Sequence, residues 1–190
     1  DRHSRQEYYE AFPFTFSVSL ESIRNHPEFP AVLRYIREWT LKSHENYLLY
    51  DSAPLLLKAL SPGLGEELYN SFIEWVQSED INKLKGIASK LRQFNSGQNF
   101  YDLCREIILH AKQDESVLSS VSAAIFTTPG VIVGGFSKFY KHRLEEIQPW
   151  LSDPDFPIPI RTFAKKLELS LKQAIEQEEA REQLEERTWQ

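Results

Sequence analysis

The sequence predicts an all-α protein built from stacked amphipathic helix pairs, as an α-solenoid or an irregular helical bundle. Two observations carry this expectation. From Gly63 to Ala111 three apolar stripes at helical spacing follow one another with very short joints. Pairing the helical stretches also divides the chain into units of roughly 30–40 residues, 64–94, 98–127 and 136–175. A helix with one apolar face must bury it against another element, so serial stripes imply a stack.

Residues Asp1–Asn25 start the chain ambiguously. Phe14, Phe16, Val18 and Leu20 alternate with polar residues as a strand would, but no nearby segment offers a pairing strand, so a helix over about 17–24 is expected. Pro30 suits the first turn of a helix running to about Ser43 on Val32, Leu33, Ile36 and Trp39. Tyr47 to Leu60 form the next helix, with Pro54 as its start or kink. The central three use Leu64, Leu68, Phe72, Trp75 and Val76, then Ile81, Leu84, Ile87, Ala88 and Leu91, then Phe100, Leu103, Cys104, Ile107, Ile108 and Ala111. Asp80 and Asn99 are candidate caps, and Asn95-Ser-Gly97 is a breaker. A further helix carries Val117, Leu118, Val121, Ala124 and Ile125. After the glycine loop 130–135 comes one with Phe136, Tyr140, Ile147, Trp150 and Leu151, then a proline-rich elbow over 152–159. The last helix begins near Ile160 and reaches about Arg187. Beyond Ile175 its apolar face thins to Ala180 and Leu184, so its end is expected to project into solvent or onto a partner. The expected division is therefore an N-terminal helical segment 1–62, a helical core 63–175 and a projecting acidic end 176–190.

Composition narrows the function classes. With 41% hydrophobic and 13% aromatic residues the chain has material for a real core, and 26% charged residues is ordinary for a soluble domain. No apolar run is long enough to span a membrane, and the basic-apolar-small pattern of a signal peptide is missing from the first residues. The single cysteine, Cys104, excludes an internal disulfide framework and favours a reducing, cytoplasmic setting. The absence of methionine, with aspartate at position 1, reads as a domain excised or processed from a larger protein. Of the net charge of −6, residues 176–187 hold −4, from six glutamates against two arginines.

Catalytic and cofactor motifs are hard to find. Gly130-Val-Ile-Val-Gly134-Gly135-Phe136-Ser137 has the glycine spacing of a phosphate-binding loop, but Phe136 stands where that motif needs lysine, and no strand precedes it. The histidines His3, His26, His44, His110 and His142 include no helix-borne ligand pair, and Cys104 with His110 is six apart. Leu103, Ile107 and Ile108 around Cys104 describe an inert buried thiol. The expectation is a non-enzymatic chain with no cofactor and no metal.

Two surface features remain. Glu178, Glu182 and Glu186 stack at i, i+4, and with Glu185 they form an acidic ridge suited to a basic protein surface. Lys138, Tyr140, Lys141 and Arg143 interleave cations with aromatics, and Lys165 with its neighbours over 161–166 joins them if the two helices pack antiparallel. That patch suits nucleic acid, phosphates on the cations and a base on a ring. The preferred partner is another protein, or the remainder of a parent chain; nucleic acid is the alternative, and a membrane is not expected.

The closing stretch also carries a resemblance. Ile147-Gln-Pro-Trp150-Leu-Ser-Asp-Pro-Asp155, then Ile160-Arg-Thr-Phe-Ala164 and the Glu-rich 171–187, resembles the ends of helical-repeat regions in large bacterial defence proteins. There a tryptophan-terminated helix, an Asp-Pro elbow and a long Glu/Arg-rich helix follow an NTPase, protease or NAD-consuming module. HEAT-type repeats share the elbow. The similarity spans about 45 residues and implies a recognition or oligomerisation segment in antiviral defence, with any chemistry in another module.

Overall fold

The computed structural model describes residues 22, 25–42, 65–95, 97–128 and 135–188. The chain divides into two compact units, Asp1–Pro62 and Gly63–Gln190. In the first, α1 (Phe29–Lys42) follows a turn closed by the Phe29 amide on the His26 carbonyl at 2.9 Å. Pro30 sits in its first turn, where its missing N–H costs nothing. Ile36 is buried, whereas Val32, expected on the same apolar face, is exposed. The 14–20 stretch and the helix expected over 47–60 lie outside the described residues.

The second unit contains α2 (Glu66–Gln77), α3 (Ile81–Lys90) with a 3-10 turn at Leu91–Gln93, α4 (Gln98–His110), α5 (Glu115–Phe126), α6 (Phe136–Ser152) and α7 (Ile158–Thr188). There is no strand among the described residues. Nor is any helix among them long and apolar enough to cross a membrane. These helices form three consecutive pairs. The pair α2–α3 stacks on α4–α5, with α2 against α4 and α3 against α5, and α7 packs on α4 beside its own partner α6.

The joints show why the chain turns where it does. Asp80 accepts the Asn82 amide at 2.9 Å and Asp114 the Ser116 amide at 3.0 Å, so each caps the helix that follows. Each cap comes after left-handed backbone, Glu79 at φ 56° before α3, and Lys112 at 47° with Gln113 at 67° before α5. The cap position of α4 is Gly97 at φ 84°, so Asn99 lies inside the first turn of the helix and not at its cap. α7 begins at Ile158, two residues before the expected start, with Pro159 tolerated in its first turn.

The core is the union of the apolar stripes. Leu68, Phe72, Phe94, Phe100, Leu103, Ile107, Val121, Ile125, Trp150 and Leu171 are all essentially inaccessible. Each such side chain is worth roughly 1.5–3 kcal/mol relative to exposure. Phe72 meets Phe94 edge-on at 6.0 Å, and Tyr101 meets Trp150 at 6.1 Å. Ile81, counted in the second stripe, stands exposed at the start of α3.

Candidate functional site

The sequence singled out an acidic ridge and a basic-aromatic patch; the structure sets parts of each against the other. α6 begins at Gly135, φ 92°, which has no side chain with which to cap the helix. The first amides of a helix lack intrahelical acceptors. Glu182, from the far end of α7, supplies one: it accepts from the Ser137 amide at 3.1 Å and from the Ser137 hydroxyl at 2.6 Å. A Cβ on Gly135 would run into the Glu182 carboxylate, and the φ of 92° is strained for any other residue, so the position favours glycine. Those hydrogen bonds, hydroxyl first, hold the Glu182 carboxyl below its usual range. One turn along, Lys141 pairs with Glu179 at 2.6 Å, which raises the lysine's pKa.

The position after the glycine loop thus holds an anion, one that belongs to the chain itself. The arrangement also accounts for an oddity of α7. Its first half, 158–172, carries four cations against one acid, and its last half carries the six glutamates, the reverse of what a helix dipole favours. α6 runs antiparallel beside it, basic at its start and bearing Glu145 and Glu146 further on, so the two helices complement one another.

The acidic ridge is consequently committed over part of its length. Glu178 pairs with Arg181 at 2.8 Å, Glu182 caps α6, and Glu185 reaches Arg181 at 3.7 Å. Arg181 also stands over the Phe136 ring at 5.4 Å. Up to Glu182 the helix keeps α6 alongside, where the sequence suggested a projecting end; the side chain of Glu186 lies outside the described residues.

The basic-aromatic residues do not form one surface. Lys138 is exposed. Tyr140 packs among rings, 5.6 Å from Phe126 and 5.3 Å from Phe139. Arg143 is only 5% exposed. It donates to the Tyr101 hydroxyl at 2.6 Å and the Asn95 carbonyl at 2.7 Å, and it lies 4.9 Å from the Phe139 ring centre. Its more distant bond, to the Thr127 carbonyl at 3.5 Å, sets a cation at the C-terminus of α5. No carboxylate among the described residues lies within ion-pair distance of it. Lys165 is exposed on α7 but does not join Lys138 and Lys141. With Ser137 opposite Glu182, the antiparallel register places 161–166 against the other end of α6, about 25 Å away along the helix.

The remaining reactive groups are inert or scattered. Cys104 is fully buried, and desolvation pushes its thiol far up. His142 stands exposed between Glu145 at 3.7 Å and Glu146 at 3.6 Å. Among the described residues no three His, Cys, Asp or Glu side chains gather as metal ligands would.

Among the described residues, two open regions bear on function. One, of about 420 Å³, lies where the α2–α3 and α4–α5 joints meet, with the Glu79–Lys112 pair at 3.1 Å and the Lys85–Asp114 pair at 2.9 Å nearby. That lysine, with the cap amides of Val117 and Ser116, lowers Asp114 to about 2. The other is a groove between α5 and the first half of α7, made of adjoining hollows of about 310 and 240 Å³. Ile108, Leu118, Phe163 and Leu167 give it an apolar floor, and Ser119, Ser122, Thr162 and Ser170 line its walls. Sequence reasoning missed this groove, the Ser137–Glu182 bond and the Asp114 cap. The cap was signalled by Asp114-Glu115 ahead of an apolar stripe. The groove was hinted at by four serines in the twelve residues of α5.

Fold and site together define an all-helical protein of stacked helix pairs with an open inter-helix groove. Comparison with protein-family models, curated proteins and solved structures returns no match.

Proposed function

We propose that this chain is a non-catalytic recognition or scaffold domain that binds another protein, or the remainder of a larger parent chain, through its stacked helix pairs. One observation carries the reading. Glu179, Glu182, Lys141 and Arg143, the charges most suggestive of ligand binding, are spent within the helical unit, while an apolar-floored groove stays open to a partner. The pairs α2–α3 and α4–α5, each joined through left-handed backbone that leads into an aspartate cap, suit a helical-repeat array. The polar outer face of α6, with Lys138, Lys141, Glu145 and Gln148, suits its terminal cap. The resemblance of 147–187 to the ends of repeat regions in bacterial defence proteins supports a role in antiviral defence. The buried thiol of Cys104 is consistent with a reducing cytoplasm. Affinity capture with the tagged chain from native lysate, with and without nuclease, tests the reading. A nuclease-resistant protein partner is expected. Capture that vanishes with nuclease would replace it with nucleic-acid binding through the exposed Lys138 and Lys141 at the start of α6.

A further inference from the structure

The face of α7 that points away from the core carries an apolar pattern of its own. Leu167, Leu171 and Ile175 face inward and are buried. On the opposite side Ile158, Leu169 and Leu184 are 70%, 65% and 63% exposed, the most open of the large apolar side chains among the described residues. With the exposed Thr162, Lys165, Gln173, Glu176 and Ala180 they recur at steps of three and four residues. At about 100° per residue those steps hold them within an arc of about 100°, a stripe about 39 Å long.

The order along this stripe indicates what fits it. About position 171 it reads nearly the same in both directions. Ile158 lies as far before that point as Leu184 lies after it, Thr162 as far as Ala180, and Leu169 as far as Gln173. Only the charges invert: Lys165, six residues before the centre, answers Glu176, five residues after it, on the same flank of the stripe. Both are exposed, and neither has an ion-pair partner among the described residues. Their neighbours are engaged within the chain, Lys172 by Glu168 at 2.9 Å and Glu179 by Lys141 at 2.6 Å. A second α7 laid antiparallel sets Ile158 against Leu184 at both ends and Lys165 against Glu176 twice. A parallel one would set lysine against lysine and glutamate against glutamate.

We propose that two copies of this chain associate through the outer face of α7, antiparallel about a twofold axis at the level of residue 171. The interface is isologous, so each contact occurs twice. A strip this long and one helix diameter wide buries on the order of 1,000 Å² over both copies. That is small for a specific interface, so the dimer is weak, with a Kd of roughly 10–100 μM.

Sedimentation velocity on the full chain between about 1 and 500 μM should show a reversible monomer–dimer equilibrium. Leu169→Glu, at an exposed position in the middle of the stripe, should abolish it and leave the helical circular dichroism unchanged. Lys165→Glu and Glu176→Lys should each weaken it roughly tenfold, and an equimolar mixture of the two should restore it, because every opposed pair is then again opposite in sign. Because Cys104 is buried, introduced cysteines report the register. In the antiparallel pair the two 173 positions stand about 6 Å apart along the axis and the two 180 positions about 27 Å. A short bis-maleimide should therefore join copies carrying Gln173→Cys and leave those carrying Ala180→Cys apart. A chain that stays monomeric throughout, dimerisation indifferent to Leu169→Glu, or cross-linking through Ala180→Cys overturns the proposal. So does a lysate protein whose capture Leu169→Glu abolishes while the chain alone stays monomeric, which would give this face to a different partner. Should Leu169→Glu disturb the fold, the charge mixture and the two cysteine variants decide.

Discussion

Replacing Arg143 with alanine should destabilise the Gly63–Gln190 unit by about 4 kcal/mol. Arg143 makes two short charge-assisted bonds, to the Tyr101 hydroxyl and the Asn95 carbonyl, each worth roughly 1.5–3 kcal/mol. Truncation also leaves a cavity and two buried acceptors short of a donor, whereas it relieves the desolvation of a cation that has no carboxylate beside it. The balance stays clearly unfavourable, because the guanidinium joins the α3–α4 linker, α4 and the end of α5 to α6. Arg143→Met, which refills the volume, should lose about half as much. Urea unfolding measures both variants. Near-UV circular dichroism is the appropriate signal, since Trp150 packs edge-on to Tyr101 in the same layer. With a slope of about 2 kcal/mol per molar, the alanine variant should unfold about 2 M earlier. A loss below about 1 kcal/mol, with native Arg143 open to arginine-modifying reagents, would refute the reasoning. It would return Arg143 to the solvated, phosphate-gripping role suggested by the sequence.

Three further outcomes follow from the joints and the core. Cys104 should resist thiol reagents until the chain unfolds. Its raised pKa means that stability falls as pH climbs past about 9, where the unfolded thiol ionises and the native one does not; Cys104→Ala should flatten that alkaline decline. Asp114 is depressed to about 2, so its contribution is complete above about pH 4 and lost as pH falls through 2. Asp114→Asn should flatten this part of the acid limb in a pH series of unfolding curves; an unchanged limb would show that the cap and the Lys85 pair do not hold in solution. Glu182→Ala should speed amide hydrogen exchange across 176–185 and at the start of α6 while sparing α4, and unchanged exchange would mean that the end of α7 is not held by Ser137.

Helix positions were legible because each helix carries its own evidence. The stripes through Phe72, Ile87, Leu103 and Val121 state a period and a face, and Asp80 and Gly97 mark starts within a few residues of chain. Errors arose where a local signal had two readings. Asn99 is a good cap residue that stands two positions after the glycine that begins the helix. Pro159 looked like the end of an elbow and proved compatible with a first turn.

The fate of the charges was not legible. Lys141 and Arg143 are two residues apart, yet one pairs with Glu179 at the surface and the other is buried among Phe139, Tyr101 and Asn95. At about 100° per residue they point to nearly opposite sides of α6, and the sequence does not say which neighbour lies on which side. The Ser137–Glu182 bond spans 45 residues and depends on the register in which α6 and α7 pack after the 153–157 elbow.

By itself the sequence determined that this protein is helical, roughly where the described helices run, and that Cys104, Phe100 and Trp150 belong to the core, since periodicity and caps act over a few residues. Only the tertiary structure decided that the acidic end and the basic start are partners of one another. It alone left a groove open between α5 and α7, because those outcomes depend on register and spacing between segments dozens of residues apart.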